Sequence, residues 1–165
     1  MPATYEPIAT TTLSTTAANI TFSSISSAYT DLRVVLTGTA TAAMTPRIRF
    51  NSDTATNYSH TIIYGDGASA LSARGTSTSF ISGTYNTSWS STLPAMVTID
   101  VFSYAGSTNK TCLNTVSIDQ NGSGSVERIV GLWRSTAAIT TLQVYTSAST
   151  FAAGTTATLY GILKA

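Results

Sequence analysis

Residues able to do chemistry are few in this chain, and they are scattered. His60 is the single histidine beside 23 serines and five aspartates, so many Ser–His–Asp combinations can be drawn. A nucleophile needs more than membership of such a list: a base within hydrogen-bond reach, held in place by a third group. No Gly-x-Ser-x-Gly elbow occurs. His60 stands in Asn57-Tyr58-Ser59-His60-Thr61-Ile62-Ile63-Tyr64, where alternation puts Tyr58, His60, Ile62 and Tyr64 on one strand face, and it reads as a packed or hydrogen-bonded strand histidine. The seven acids are Glu6, Asp31, Asp53, Asp66, Asp100, Asp119 and Glu127, no two of them close in sequence. Most fall in turns or beside strand ends, where a carboxylate caps a turn or meets solvent. That arrangement does not make the carboxylate pair of a glycosidase.

Metal and nucleotide signals are equally thin. Asn51-Ser52-Asp53 opens like a calcium loop but lacks the glycine and the terminal glutamate. Gly65-Asp66-Gly67 lacks the third glycine and the following helix of a dinucleotide fingerprint. One histidine and one cysteine match no zinc spacing. Cys112 lies in phase with Val116 and Ile118 and is read as a buried small hydrophobe. No catalytic, metal or cofactor residue is assigned, and no enzymatic activity is expected.

Two aromatics stand apart. Tyr85-Asn86-Thr87-Ser88-Trp89 is a polar stretch between two strand-like segments, which places Tyr85 and Trp89 at one end of a sandwich. Rigid aromatic area in a polar loop suits a sugar-stacking or subunit contact. The competing reading has Trp89 folded back to plug the end of the sandwich. Trp133, in Ile129-Val130-Gly131-Leu132-Trp133, reads as core.

The elements that must position these residues are strands. One residue in three is Ser or Thr, yet apolar residues return at every second position, as at Leu32, Val34 and Leu36 or Val97, Ile99 and Val101. A period of two places the hydroxyls on outer strand faces. Strands are expected near 5–13, 19–23, 31–39, 46–51, 58–65, 76–82, 95–104, 111–120, 126–134, 140–147 and 156–164, with both ends of the chain paired in sheets or clasped by neighbours. Ala68–Arg74, between Gly67 and Gly75, reads as a single helical turn. Asn121-Gly122 supplies the positive φ of a hairpin. Pro46 and Pro94 precede strands, where a missing N–H costs least. The expectation is one domain over residues 1–165, an all-β antiparallel sandwich of jelly-roll type.

Bulk composition excludes several classes. The eight Lys and Arg are scattered, with only Arg47 and Arg49 adjacent on one strand face, so the footprint of a nucleic-acid binder is missing. No run of 18 apolar residues is present to span a membrane. The start, Met1-Pro2-Ala3-Thr4-Tyr5-Glu6, reads as lacking a secretory signal, which implies synthesis in a cytoplasm. Charged residues make up 9% of the chain, against roughly 25% in an average soluble domain. A surface so poor in charge suits a subunit packed in an assembly better than a free monomer.

The order of several segments resembles a known family. Ile20-Thr21-Phe22-Ser23-Ser24-Ile25 is followed by Tyr29-Thr30-Asp31-Leu32-Arg33-Val34-Val35-Leu36, then by Arg47-Ile48-Arg49-Phe50-Asn51 and Asn57-Tyr58-Ser59. The chain closes on Phe151-Ala152-Ala153-Gly154-Thr155-Thr156-Ala157-Thr158-Leu159-Tyr160-Gly161-Ile162. This succession resembles small β-structured virion proteins of tailed bacteriophages, particularly those of cyanobacterial and marine phages. The resemblance implies a jelly-roll-like structural protein of the virion, made in the host cytoplasm and without enzymatic activity. It implies a capsid decoration (cement) protein on the outer shell, with the major capsid protein and copies of itself as partners, a trimer being the suggested form. The alternative within the class is a tail fibre or receptor-binding module for a host glycan. A free lectin-like module is the reading from a different class.

Overall fold

The computed structural model describes residues 4–163. Twelve strands follow one another: β1 (Tyr5–Thr12), β2 (Asn19–Phe22), β3 (Asp31–Gly38), β4 (Pro46–Phe50), β5 (Tyr58–Gly65), β6 (Ala70–Thr78), β7 (Ile81–Ser82), β8 (Ala95–Phe102), β9 (Lys110–Ile118), β10 (Ser125–Trp133), β11 (Leu142–Thr146) and β12 (Thr156–Ile162). They form two antiparallel sheets, an eight-stranded one ordered β1-β12-β3-β8-β9-β10-β5-β6 and a four-stranded one ordered β2-β11-β4-β7. The pairings are nested. β3 meets β12, β4 meets β11 and β5 meets β10, and successive pairs alternate between the two sheets. That nesting is the winding of a jelly roll, with the β8–β9 hairpin let in between β3 and β10.

Alternation fills the space between the sheets. From the large sheet come Leu32, Val34, Leu36, Val97, Ile99 and Val101, and from the small one Ile20, Phe22, Ile48, Phe50, Leu142 and Val144, all buried. Gly131 lets the layers close. A Cβ at that position would stand 2.6 Å from Ile81 Cγ2 and 2.8 Å from Cys112 Sγ. Both β1 and β12, at the two ends of the chain, pair with each other. The termini beyond them (residues 1–3 and 164–165) lie outside the described residues.

Two expectations for local structure are corrected. Residues 68–74 form no helical turn, because Ala70–Arg74 belongs to β6. Asp66 Oδ1 accepts the N–H groups of Ala68 (2.9 Å) and Ser69 (2.8 Å), and Gly67 takes φ +88°. This turn delivers the chain onto the open edge of β5, and sheet pairing overrides the alanine preference for helix. The segment 76–82 is not one strand either. β6 ends at Thr78 and β7 joins the other sheet, with Ser77 in left-handed backbone (φ 51°) at the register shift in the last residues of β6. The hairpin residues behave as expected, Asn121 and Gly122 having φ 58° and 89°.

Candidate functional site

The one histidine and the one cysteine lie in the interior. His60 is buried against Phe80, ring centroids 6.0 Å apart, and its Nδ1 has no protein partner. Burial pulls its pKa below the ordinary value, against a backbone hydrogen bond with Phe80 that raises it. Cys112 is buried and its thiol is pushed up to about 12 by desolvation, so it holds its proton at neutral pH. Among the described residues no three His, Cys, Asp or Glu side chains gather into a metal site.

The two aromatics singled out in the sequence part company. Trp89 is 0% exposed and meets Phe151 edge-on, centroids 5.7 Å apart. Its backbone bridges Met44, with the Trp89 N–H donating to Met44 O at 2.9 Å. Trp89 therefore plugs the sandwich and is withdrawn as an interface or glycan contact. Bridging to Met44 draws its backbone into the layer, which a reading of the loop's polarity does not reveal. Tyr85 is 47% exposed and leans on Tyr64, centroids 5.8 Å apart, so it stays available for contact.

A residue missed in the sequence holds this loop. Glu127, 0% exposed on the inner face of β10, accepts the N–H groups of Tyr85 (2.7 Å), Asn86 (2.9 Å) and Thr87 (3.2 Å) and the Ser125 hydroxyl (2.9 Å). Four donors replace the water a buried carboxylate would otherwise need. The signal is legible in part: Ser125, Glu127 and Trp133 share a parity, and Trp133 reads as core. Asp53 is a second hub. Its carboxylate accepts from Trp133 Nε1 (2.7 Å), Asn57 Nδ2 (3.0 Å) and the Ala55 N–H (2.9 Å). Desolvation works to raise its pKa, but these bonds hold it below the ordinary carboxylate value. The calcium-like triplet is thus a turn that ties β4 to β10. The paired arginines of β4 each lie over a ring, Arg47 at 4.1 Å from the centroid of Phe80 and Arg49 at 4.5 Å from that of Tyr145.

The broadest candidate surface is the outer face of the eight-stranded sheet. Reading across the ladders, one row runs Thr156, Thr37, Met96, Ser117, Val126 and Gly65. Six of the nine large apolar side chains exposed among the described residues project from this face: Tyr5, Ile63, Met96, Phe102, Val126 and Val130. Val126 and Ile63 are 65% and 61% exposed. The expected hydroxyl-bearing outer face is thus mixed, with apolar side chains among the Ser and Thr. Charge on it is partly cancelled, since Arg33 forks onto Asp100 directly opposite, at 2.5 and 2.9 Å. Threonines pair across its far side, Thr10 with Thr158 at 3.1 Å and Thr12 with Thr156 at 3.0 Å. Two shallow depressions adjoin at Ser117 and Asp119 along one end, about 290 Å³ beside Gly65–Gly67 and about 390 Å³ beside Leu93–Met96.

No family model matches the chain, and no curated protein sequence matches it. Among solved structures, the galectin LEC-6 of Caenorhabditis elegans is similar over 94% of this chain and 96% of that chain, at 9% identity and a TM-score of 0.39. A likeness of that grade carries no conclusion about ligands.

Proposed function

We propose that this protein is a structural subunit of a phage virion, a decoration protein that seats on the outer surface of the assembled shell and stabilises it. The observation that carries the reading is the outer face of the large sheet. Eight strands by about seven residues span roughly 900 Å², comparable with the about 800 Å² per partner of a standard protein interface. The face is broad, low in charge and studded with apolar side chains, the composition of a surface covered by protein. A protein that binds the assembled shell and not its free subunits stabilises the shell by mass action, summed over many copies. The test is deletion. Particles lacking the protein assemble but rupture at lower temperature or milder osmotic shock, and copy number per virion runs to the hundreds. Unchanged particle stability sinks the reading, and a handful of copies moves the protein to the tail.

A second reading has one observation in its favour: Tyr85 is exposed, braced by Tyr64 and fixed by Glu127. A pre-set aromatic can stack on a sugar. A glycan array with the isolated protein tests this, with signal that Tyr85→Ala abolishes; a blank array removes it.

A further inference from the structure

We propose that two copies of this protein join edge to edge through β6, antiparallel about a two-fold axis at Ser72, so that their two large sheets become one continuous sheet. The inference concerns self-association and stands independently of the virion reading.

Among the described residues four strands lie at sheet edges, and three of these edges are blunted. β1 carries Pro7 and an irregular register between Pro7 and Ala9, β2 has four residues and β7 two. β6 has nine residues, no proline and one charge, Arg74. Unpaired N–H and C=O groups on such an edge are a template for another strand.

The register follows from the ladder. The Arg134 N–H donates to Asn57 O at 2.9 Å, so the odd-numbered residues of β5 bond towards β10 and the even-numbered ones towards β6. Ile62 and Tyr64 therefore bond Ala73 and Leu71, which leaves the groups of Ala70, Ser72 and Arg74 facing outward. The Asp66 N–H donating to Ser69 O at 3.4 Å fits the same alternation. The regular run is bounded by the Asp66–Ser69 turn on one side and by the register shift beyond His60↔Gly75 on the other. Ser72 lies at the middle of Ala70–Arg74, and its groups point outward, so an axis there places Ser72 opposite Ser72 and Ala70 opposite Arg74 in both directions. Every outward-facing group then meets a partner.

The side chains agree with that register. Arginine never faces arginine. Each Arg74, exposed and without an ion-pair partner among the described residues, falls beside the Gly65–Asp66 end of the other copy's hairpin, where the Asp66 carboxylate is fixed by two N–H groups. On the opposite face, Leu71, 46% exposed, comes to lie against Ala73 of the other copy. A two-fold pair also departs from the trimer that the family resemblance suggests.

Sedimentation of the full chain from low-micromolar to sub-millimolar concentration tests the proposal. A monomer–dimer equilibrium is expected. Ser72→Pro removes outward N–H groups that bond nothing within the chain's own sheet, and should abolish the dimer while the thermal transition persists. Ala70→Arg sets arginine opposite Arg74 and weakens the dimer, whereas Ala70→Glu tightens it, the two constants differing by roughly tenfold or more. Should Ser72→Pro fail to fold, the exposed Ala70 pair still decides. A monomer throughout, a trimer, or a dimer indifferent to these substitutions overturns the proposal.

Discussion

At the scale of the residue, the side chains that matter most are buried polar ones. Glu127 holds three successive N–H groups of the loop that displays Tyr85. Glu127→Ala leaves those donors without a partner and should cost about 2–4 kcal/mol, read as a fall in the urea midpoint at unchanged slope. Glu127→Gln is expected to cost nearly as much, since its amide turns a donor towards donors. The aromatic pair separates in the same measurement. Trp89→Ala should cost about 3–5 kcal/mol, whereas Tyr85→Ala should stay within about 0.5 kcal/mol. Equal effects at the two positions would contradict their assignment to core and surface. Lys110 is the other surprise. It is 0% exposed, and its Nζ donates to the carbonyl oxygens of Gly106 (2.7 Å) and Thr108 (2.5 Å), closing the β8–β9 turn.

At the scale of the element, glycines mark where layers or rings approach too closely for a side chain. Gly131 admits Ile81 of the small sheet against β10, and Gly161 lies under the Tyr29 ring, where a Cβ would stand 2.3 Å from Cδ1. Gly131→Ala meets packed side chains in the core and should cost about 1–3 kcal/mol. Calorimetry at neutral pH checks this, and an unchanged melting temperature would mean the two sheets are less tightly registered than these distances require. β5 and β10 illustrate what sequence shows of an element. Tyr58, His60 and Ile62 share the inner face as read, with Ser59, Thr61 and Ile63 turned outward, because alternation is local to one strand. In β10, apolar residues of both parities, Val126 and Val130 as well as Ile129, point to a strand that offers an apolar face outward too.

At the scale of the molecule, buried ionisable groups shape stability against pH. The Tyr58 hydroxyl, donating to Phe50 O at 3.2 Å, is pushed up from 10.0 to about 12 by burial, and the Cys112 thiol from 9.0 to about 12. Both folded values lie above the unfolded ones. Their contribution is complete below the unfolded values and is lost as pH climbs towards 12. Lys110 is lowered from 10.5 by desolvation, so it regains stability over the approach to that value and offsets part of the loss. On the acid side, His60 is lowered from 6.5 by burial. The unfolded chain takes up that proton first, and stability falls as pH drops below 6.5. Urea midpoints across the range should show both limbs. Tyr58→Phe flattens the alkaline limb above pH 10, and a limb unchanged in that variant would remove Tyr58 from the account.

The sequence by itself determined the all-β character, ten of the eleven expected strand positions to within a few residues, the core identity of Cys112 and Trp133, and the hairpin at Asn121-Gly122. Each rests on periodicity or turn chemistry within a few bonds of the residue concerned. Tertiary structure decided the rest. Whether Ala70–Arg74 coils or pairs depends on the open edge of β5. Whether Trp89 faces solvent depends on Met44 and Phe151, and whether Glu127 is a solvated acid or a buried clamp depends on a loop 40 to 42 positions away in the chain. Which side of the large sheet is covered depends on where four other strands land. These are contacts between segments far apart in the chain, and no local pattern encodes which neighbour arrives.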